Sequence, residues 1–322
     1  MQVLNAFLRL IRIGNLLIIA LALTLFYYVI IVPVHHDKLH TTLVPFINSD
    51  FVLFVLSVVY VAAAGNIIND YIDFELDKEF KPKRPLANGM ISLNAAVYLH
   101  GIFAFAGIGL GFYCGLQTGN YKIGYIYVIC VIVLYLYSAF LKKIPLAGNV
   151  VISALTAFIF VLPLIFDVTY LNSIHAANLF ETTGYAFEIL LWQMKFYAGF
   201  AFLTSLAREI VKDMEDKEGD DAFDIHTLVV DYGFGVAKIA AGLVLLVLLC
   251  ALIFFSQSFF AVRAMTEFIY LSFVLALPVL VALWFLIRAR QKADYERLSV
   301  VLKVIMLLGV LSIPMFYLFN RS

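Results

Sequence analysis

Nine stretches of this chain stay apolar for about the 20 residues that a helix needs to cross a bilayer. They run at 14–33, 50–69, 94–115, 121–140, 147–166, 187–207, 236–256, 267–287 and 300–319. The bilayer core holds no water to satisfy an exposed peptide group, so such segments are helices. The expected fold is therefore all-α, with nine transmembrane helices in a single membrane-embedded domain over residues 1–322. The run at 16–34 is longer than the apolar core of a leader peptide and reads as a span.

Composition narrows the function. Of the 322 residues 64% are hydrophobic and 14% charged, against about 25% charged in soluble domains, so membrane lipid is the natural surrounding. The formal net charge is zero, which gives no basic surface for nucleic acid. Cys114, Cys130 and Cys250 stand singly in apolar runs; without paired spacing they read as small hydrophobes.

With nine spans, Lys38, Lys122, Lys195, Arg263 and Arg321 fall on one side and the other seventeen Lys and Arg on the side of the N-terminus. The positive-inside bias then predicts a multi-pass protein of the cell (inner) membrane, with its N-terminus in the cytoplasm. His35, His36, His40 and His175 fall in the outer loops in no zinc-like spacing, and are read as exposed loop histidines.

The acid is concentrated. Thirteen of the 22 Asp and Glu lie in two windows, Asp70 to Glu79 and Glu209 to Asp224, each beginning where a span runs out on the cytoplasmic side. In the first, Asn69, Asp73 and Asp77 recur at i, i+4 and i+8; in the second, Asp213, Asp216 and Asp220 share a helical face. Stacked carboxylates repel unless a cation neutralises them. Oxygen ligands suit a hard ion such as magnesium, which prefers one or two carboxylates plus substrate phosphates. Charge runs are usually solvated loops, but two at matching helix ends point to a phosphate-bearing substrate held by both.

Basic residues accompany them: Lys81, Lys83 and Arg84 after the first window, Arg208 and Lys212 at the second. Arginine grips phosphate through two nitrogens and lysine acts as a point charge. Arg84 and Arg208 are the stronger candidates, since positive-inside bias alone accounts equally well for the lysines.

Asn69-Asp70-x-x-Asp73-x-x-x-Asp77, followed by Lys83-Arg84-Pro85-Leu86, resembles the first motif of the UbiA superfamily of intramembrane prenyltransferases. Arg208-Glu209-x-x-Lys212-Asp213-x-Glu215-Asp216-x-x-Gly219-Asp220, with Thr227-Leu228 after it, resembles the second. The stretch Tyr137-Ser138-x-x-Leu141-Lys142-x-x-Pro145-Leu146-x-Gly148-Asn149 is most similar to digeranylgeranylglyceryl phosphate synthases within that superfamily. His226 departs from the motif, in which many relatives carry Arg or Cys.

The resemblance implies nine helices around a central cavity, Mg2+ as cofactor, a prenyl diphosphate donor and a lipophilic acceptor. It implies metal ligation by Asn69, Asp73 and Asp77 and by Asp213, Asp216 and Asp220, with Asp73, Asp213, Lys212 and Arg208 as catalytic groups. Arg12, Asn15, Asp70, Lys83, Arg84, Tyr137 and Lys142 are the implied substrate contacts. The donor is expected to be geranylgeranyl diphosphate and the acceptor geranylgeranylglyceryl phosphate, with an aromatic or quinone-precursor acceptor as the alternative. A phosphotransferase acting on CDP-alcohols would need Asp-Gly and Ala-Arg pairs that neither window supplies. A cation-coupled transporter would place its acids near mid-membrane, and these lie at span ends.

Overall fold

The computed structural model describes residues 2–38, 44–46, 49–173 and 177–319, and is helical almost throughout. Its principal helices are α1 (Gln2–Leu10), α2 (Ile13–His35), α3 (Ser49–Ile72), α4 (Phe74–Phe80), α5 (Leu93–Gln117), α6 (Gly124–Ala139), α7 (Ala147–Ser173), α8 (Ala177–Ala222), α9 (Leu228–Ala261), α10 (Met265–Arg288) and α11 (Lys292–Phe319). Among the described residues nine helices are long and apolar enough to cross a membrane, as the nine apolar runs predict.

The chain divides into two compact units. One comprises residues 1–141 with 159–191, the other 142–158 with 192–322, so α7 and α8 each contribute to both.

In the first unit α3 packs against both α5 and α6. Lipid tails are as apolar as leucine, so membrane helices associate through close packing rather than through hydrophobic exclusion. Glycines create that closeness. A Cβ on Gly111 would stand 2.3 Å from the Tyr127 ring, and one on Gly107 would stand 2.8 Å from Val61. The ring so admitted is buried, and its hydroxyl accepts a hydrogen bond from Ser57 at 2.9 Å.

In the second unit α9 buries Ala237, Ala241, Leu245, Leu248 and Leu252 in a core shared with Leu271, Leu275, Val279 and Leu298. Their spacing of three and four residues is one helical stripe.

The expectation that His35 sits in an exposed outer loop is corrected. Helix continues beyond the apolar run, and His35, 0% exposed, places Nε2 2.8 Å from a carboxylate oxygen of the equally buried Asp167 on α7. Hydropathy ends the span at the first polar side chains, but a buried imidazole with a carboxylate beside it is tolerated. The side chains of His36, His40 and His175 lie outside the described residues.

Gly111→Leu should force the Tyr127 ring aside and lower the thermal unfolding midpoint in detergent, at a cost of about 1–3 kcal/mol. Gly101→Leu, where nothing lies within 4 Å of the added Cβ, should leave the midpoint unchanged.

Candidate active site

In the first unit the acidic window spans a small break. α3 ends at Ile72, and Asp73, with φ −82° and ψ 4°, lies just off helical geometry before α4 begins. Asp73 N nevertheless donates to Asn69 O at 3.0 Å, and Asp77 N to Asp73 O at 2.8 Å. The i, i+4, i+8 register of Asn69, Asp73 and Asp77 therefore survives the break, and Asn69 Nδ2 donates to Asp73 Oδ2 at 3.0 Å.

Arg84 ties this window together. Its Nη1 donates to Asp77 Oδ2 at 2.6 Å and to Asp70 Oδ1 at 3.1 Å. The two carboxylates are 2% and 4% exposed. Asp77 Oδ1 is buried without a hydrogen-bond partner among the described residues. Burial pushes the Asp77 carboxyl above its ordinary range, while the Arg84 charge opposes the rise.

Arg12 reaches the same cluster from the junction of α1 and α2. Its Nη2 donates to Asp70 Oδ1 at 2.7 Å. Arg12 takes φ 55° and ψ 54° there, a left-handed backbone costing a non-glycine residue roughly 1–2 kcal/mol. The break leaves the Ile11 carbonyl to accept from Asn66 Nδ2 at 2.9 Å. Arg12 and Asn15 were both expected among the substrate contacts. The structure puts Arg12 in a turn and the half-buried Asn15 one turn on. Asp70, expected among the substrate contacts, is the anchor of both guanidinium groups.

The second acidic window lies in the second unit, at the end of α8, which runs unbroken to Ala222. Glu209, Asp213, Asp216 and Asp220 form one stripe along it. Asn149, on α7 within the same unit, donates from Nδ2 to Asp213 Oδ2 at 2.8 Å. Arg208 Nη1 donates to Glu209 Oε1 at 2.7 Å, and Lys212 is half-buried one turn further on. Lys217 Nζ lies 5.1 Å above the Phe234 ring, which stacks on Tyr295 at 5.5 Å and thereby steadies the end of α8.

Asn149 is the residue that sequence reasoning left without a role. Its one signal was a place beside Gly148 in the family-like stretch, since a contact across 64 residues leaves no local pattern. Lys83 is exposed on the turn after α4 and is not drawn into the Arg84 cluster. Tyr137 is half-buried near the end of α6 in the first unit, and Lys142 half-buried where the second unit begins.

Among the described residues no three His, Cys, Asp or Glu side chains stand close enough to hold an ion unaided. Magnesium on a phosphorylated substrate does not require that, because phosphate and water complete its octahedron. The ligand set is oxygen throughout, and the unpartnered Asp77 Oδ1 offers a lone pair of the right chemistry. The residues fit an ion that arrives with a phosphate ester.

Among the described residues, nine helices long and apolar enough to cross a membrane define an integral multi-pass membrane protein. Residues 21–310 match the UbiA prenyltransferase family. The digeranylgeranylglyceryl phosphate synthase of Methanobrevibacter smithii is 32% identical over 251 residues, covering 77% of this chain and 76% of that protein. A solved structure from work on digeranylgeranylglyceryl phosphate synthase in membranes is similar at TM-score 0.59 and 24% identity, covering 98% of this chain and 100% of its own. A Cd2+-bound UbiA homolog from Archaeoglobus fulgidus is similar at TM-score 0.51 and 15% identity, covering 96% of this chain and 99% of its own. This chain belongs to the UbiA prenyltransferase family. It is a multi-pass membrane enzyme that transfers prenyl groups.

Arg84→Leu should leave Asp70 and Asp77 buried with too little compensating charge. Arg84 is itself 24% exposed and partly screened, so the expected loss is about 2–3 kcal/mol. An unchanged unfolding midpoint in detergent would contradict the bridging role.

His226 Nδ1 lies 2.8 Å from Asp231 and Nε2 3.5 Å from Asp224. The Asp231 hydrogen bond, and then its charge, raise the imidazole above its ordinary 6.5. The folded state favours the protonated ring, so its contribution is complete below 6.5 and is lost as pH rises through the raised value. An NMR titration should place the His226 midpoint above 6.5, and Asp231→Asn should bring it down.

Proposed function

We propose that this enzyme transfers a geranylgeranyl group from geranylgeranyl diphosphate to geranylgeranylglyceryl phosphate, using Mg2+ at the cytoplasmic face of the cell membrane. The observation that carries this reading is the pair of oxygen-rich helix ends in a chain 32% identical to a digeranylgeranylglyceryl phosphate synthase. The positive-inside bias supports the orientation.

The allylic carbon–oxygen bond of the donor breaks with its electron pair leaving on diphosphate. The acceptor hydroxyl oxygen forms the new ether bond and releases its proton to the departing diphosphate. Bound magnesium supplies charge neutralisation for the departing diphosphate. Asn69, Asp73 and Asp77 hold one ion in this reading, and Asp213, Asp216 and Asp220 the other. Arg84 orients Asp77 while keeping guanidinium nitrogens in reserve, and Asn149 orients Asp213 by donating to one of its oxygens. Lys212 adds positive charge where negative charge develops. Tyr137, Lys142, Arg12, Asn15 and Lys83 complete the substrate contacts, and the apolar helices keep water from the carbocation.

The test is product analysis with labelled geranylgeranyl diphosphate and a panel of glycerol phosphate and quinone-precursor acceptors. Asp73→Ala and Asp213→Ala should each lose at least about a hundredfold in turnover while still inserting and folding, and chelating magnesium should stop the wild type. Near-normal turnover in either variant would overturn the ligand assignment. A prenylated phenol as the sole product would replace the acceptor. Flux across sealed vesicles without a new covalent product would favour the transporter.

A further inference from the structure

The acidic stripe of α8 has a basic stripe beside it. Arg208 and Lys212 are spaced i and i+4 on the same helix as Glu209 and Asp213, and each precedes its acidic neighbour by one residue. That offset turns the basic side chains roughly 100° around the helix from the carboxylates. The acidic stripe suits a metal-bound diphosphate; the basic stripe offers direct contacts that suit a phosphate carrying no metal.

Arg208 is the residue best equipped for it. Among the described residues its one hydrogen-bond partner is Glu209, bonded through Nη1. Nε is buried and has no partner there, although the side chain as a whole is 23% exposed. A donor shut away from water without an acceptor is destabilising, and a ligand oxygen would relieve that cost. Nε and Nη2 form one edge of the guanidinium, matched in spacing to two oxygens of a phosphate. Arg12 and Arg84 differ, since both already hold buried carboxylates in the first unit. Arg208 also sits five residues before Asp213, roughly 7.5 Å along the helix toward the apolar side. A second phosphate held there would be separate from one held by Asp213, Asp216 and Asp220.

We infer that Arg208 binds the phosphate of the acceptor and selects phosphorylated acceptors over neutral ones. The inference rests on the acceptor reading above and adds the residue that enforces it. Glu209 is the positioning residue, since it holds one end of the guanidinium and leaves the Nε edge for the ligand.

The experiment compares geranylgeranylglyceryl phosphate with geranylgeranylglycerol as acceptors, at saturating magnesium and donor, in the wild type, Arg208→Gln and Arg208→Lys. The wild type should prefer the phosphorylated acceptor in kcat/KM. Arg208→Gln should reduce that preference at least about tenfold, as loss of a charge-assisted contact predicts, with a larger rise in acceptor KM than in donor KM. Arg208→Lys should restore part of it, because the charge returns without the two-nitrogen edge. Unfolding midpoints establish that the variants fold; if Arg208→Gln does not, the partial loss in Arg208→Lys carries the comparison. Equal losses with both acceptors, or a rise confined to donor KM, would overturn this role while leaving the acceptor reading intact. A wild type that prenylates neither glyceryl lipid would overturn both.

Discussion

A charge buried at the end of an apolar helix must be matched, because packed protein offers no water to do it. That requirement organises the polar architecture of this enzyme. Asp70 and Asp77 are buried, and Arg84 bridges them while Arg12 closes on Asp70 from a strained turn. The left-handed backbone at Arg12 costs energy that the ion pair with Asp70 offsets. Asp213 meets the same demand with a neutral donor, Asn149. His35 and Asp167 answer it as a buried pair.

These pairings have functional consequences because they leave chosen atoms uncommitted. Asp77 gives one oxygen to Arg84 and keeps the other without a partner among the described residues. Arg208 gives one nitrogen to Glu209 and keeps Nε. Under the proposed function, protein groups hold these side chains by one atom and magnesium and phosphate take the rest. Close helix contacts supply the rigidity behind it. Gly107 and Gly111 let α3, α5 and α6 approach in the first unit, and the alanine and leucine stripe of α9 does the same in the second.

Much of the architecture was legible because hydrophobic length has a single solution in a bilayer. Among the described residues the nine apolar runs became nine helices, and Asn69, Asp73 and Asp77 kept the register that spacing placed them in. Span ends were less legible. Hydropathy stopped the first span before His35, which tertiary pairing with Asp167 keeps helical and buried. The break at Arg12 was likewise invisible, since nothing in Leu10-Ile11-Arg12-Ile13 breaks a helix by composition. That turn persists because Asn66 and Asp70 stabilise it from α3.

By itself, then, the sequence determined the fold class, the membrane setting, the carboxylate registers and the family, because these follow from local periodicity and charge placement. Only the tertiary structure decided which partner each charged group takes: Arg84 for both Asp70 and Asp77, Asn149 for Asp213, Glu209 for one end of Arg208. Partner choice depends on distances of a few ångströms between residues that, for Asn149 and Asp213, stand 64 positions apart. No local pattern encodes that, because it is set by how closely whole helices pack.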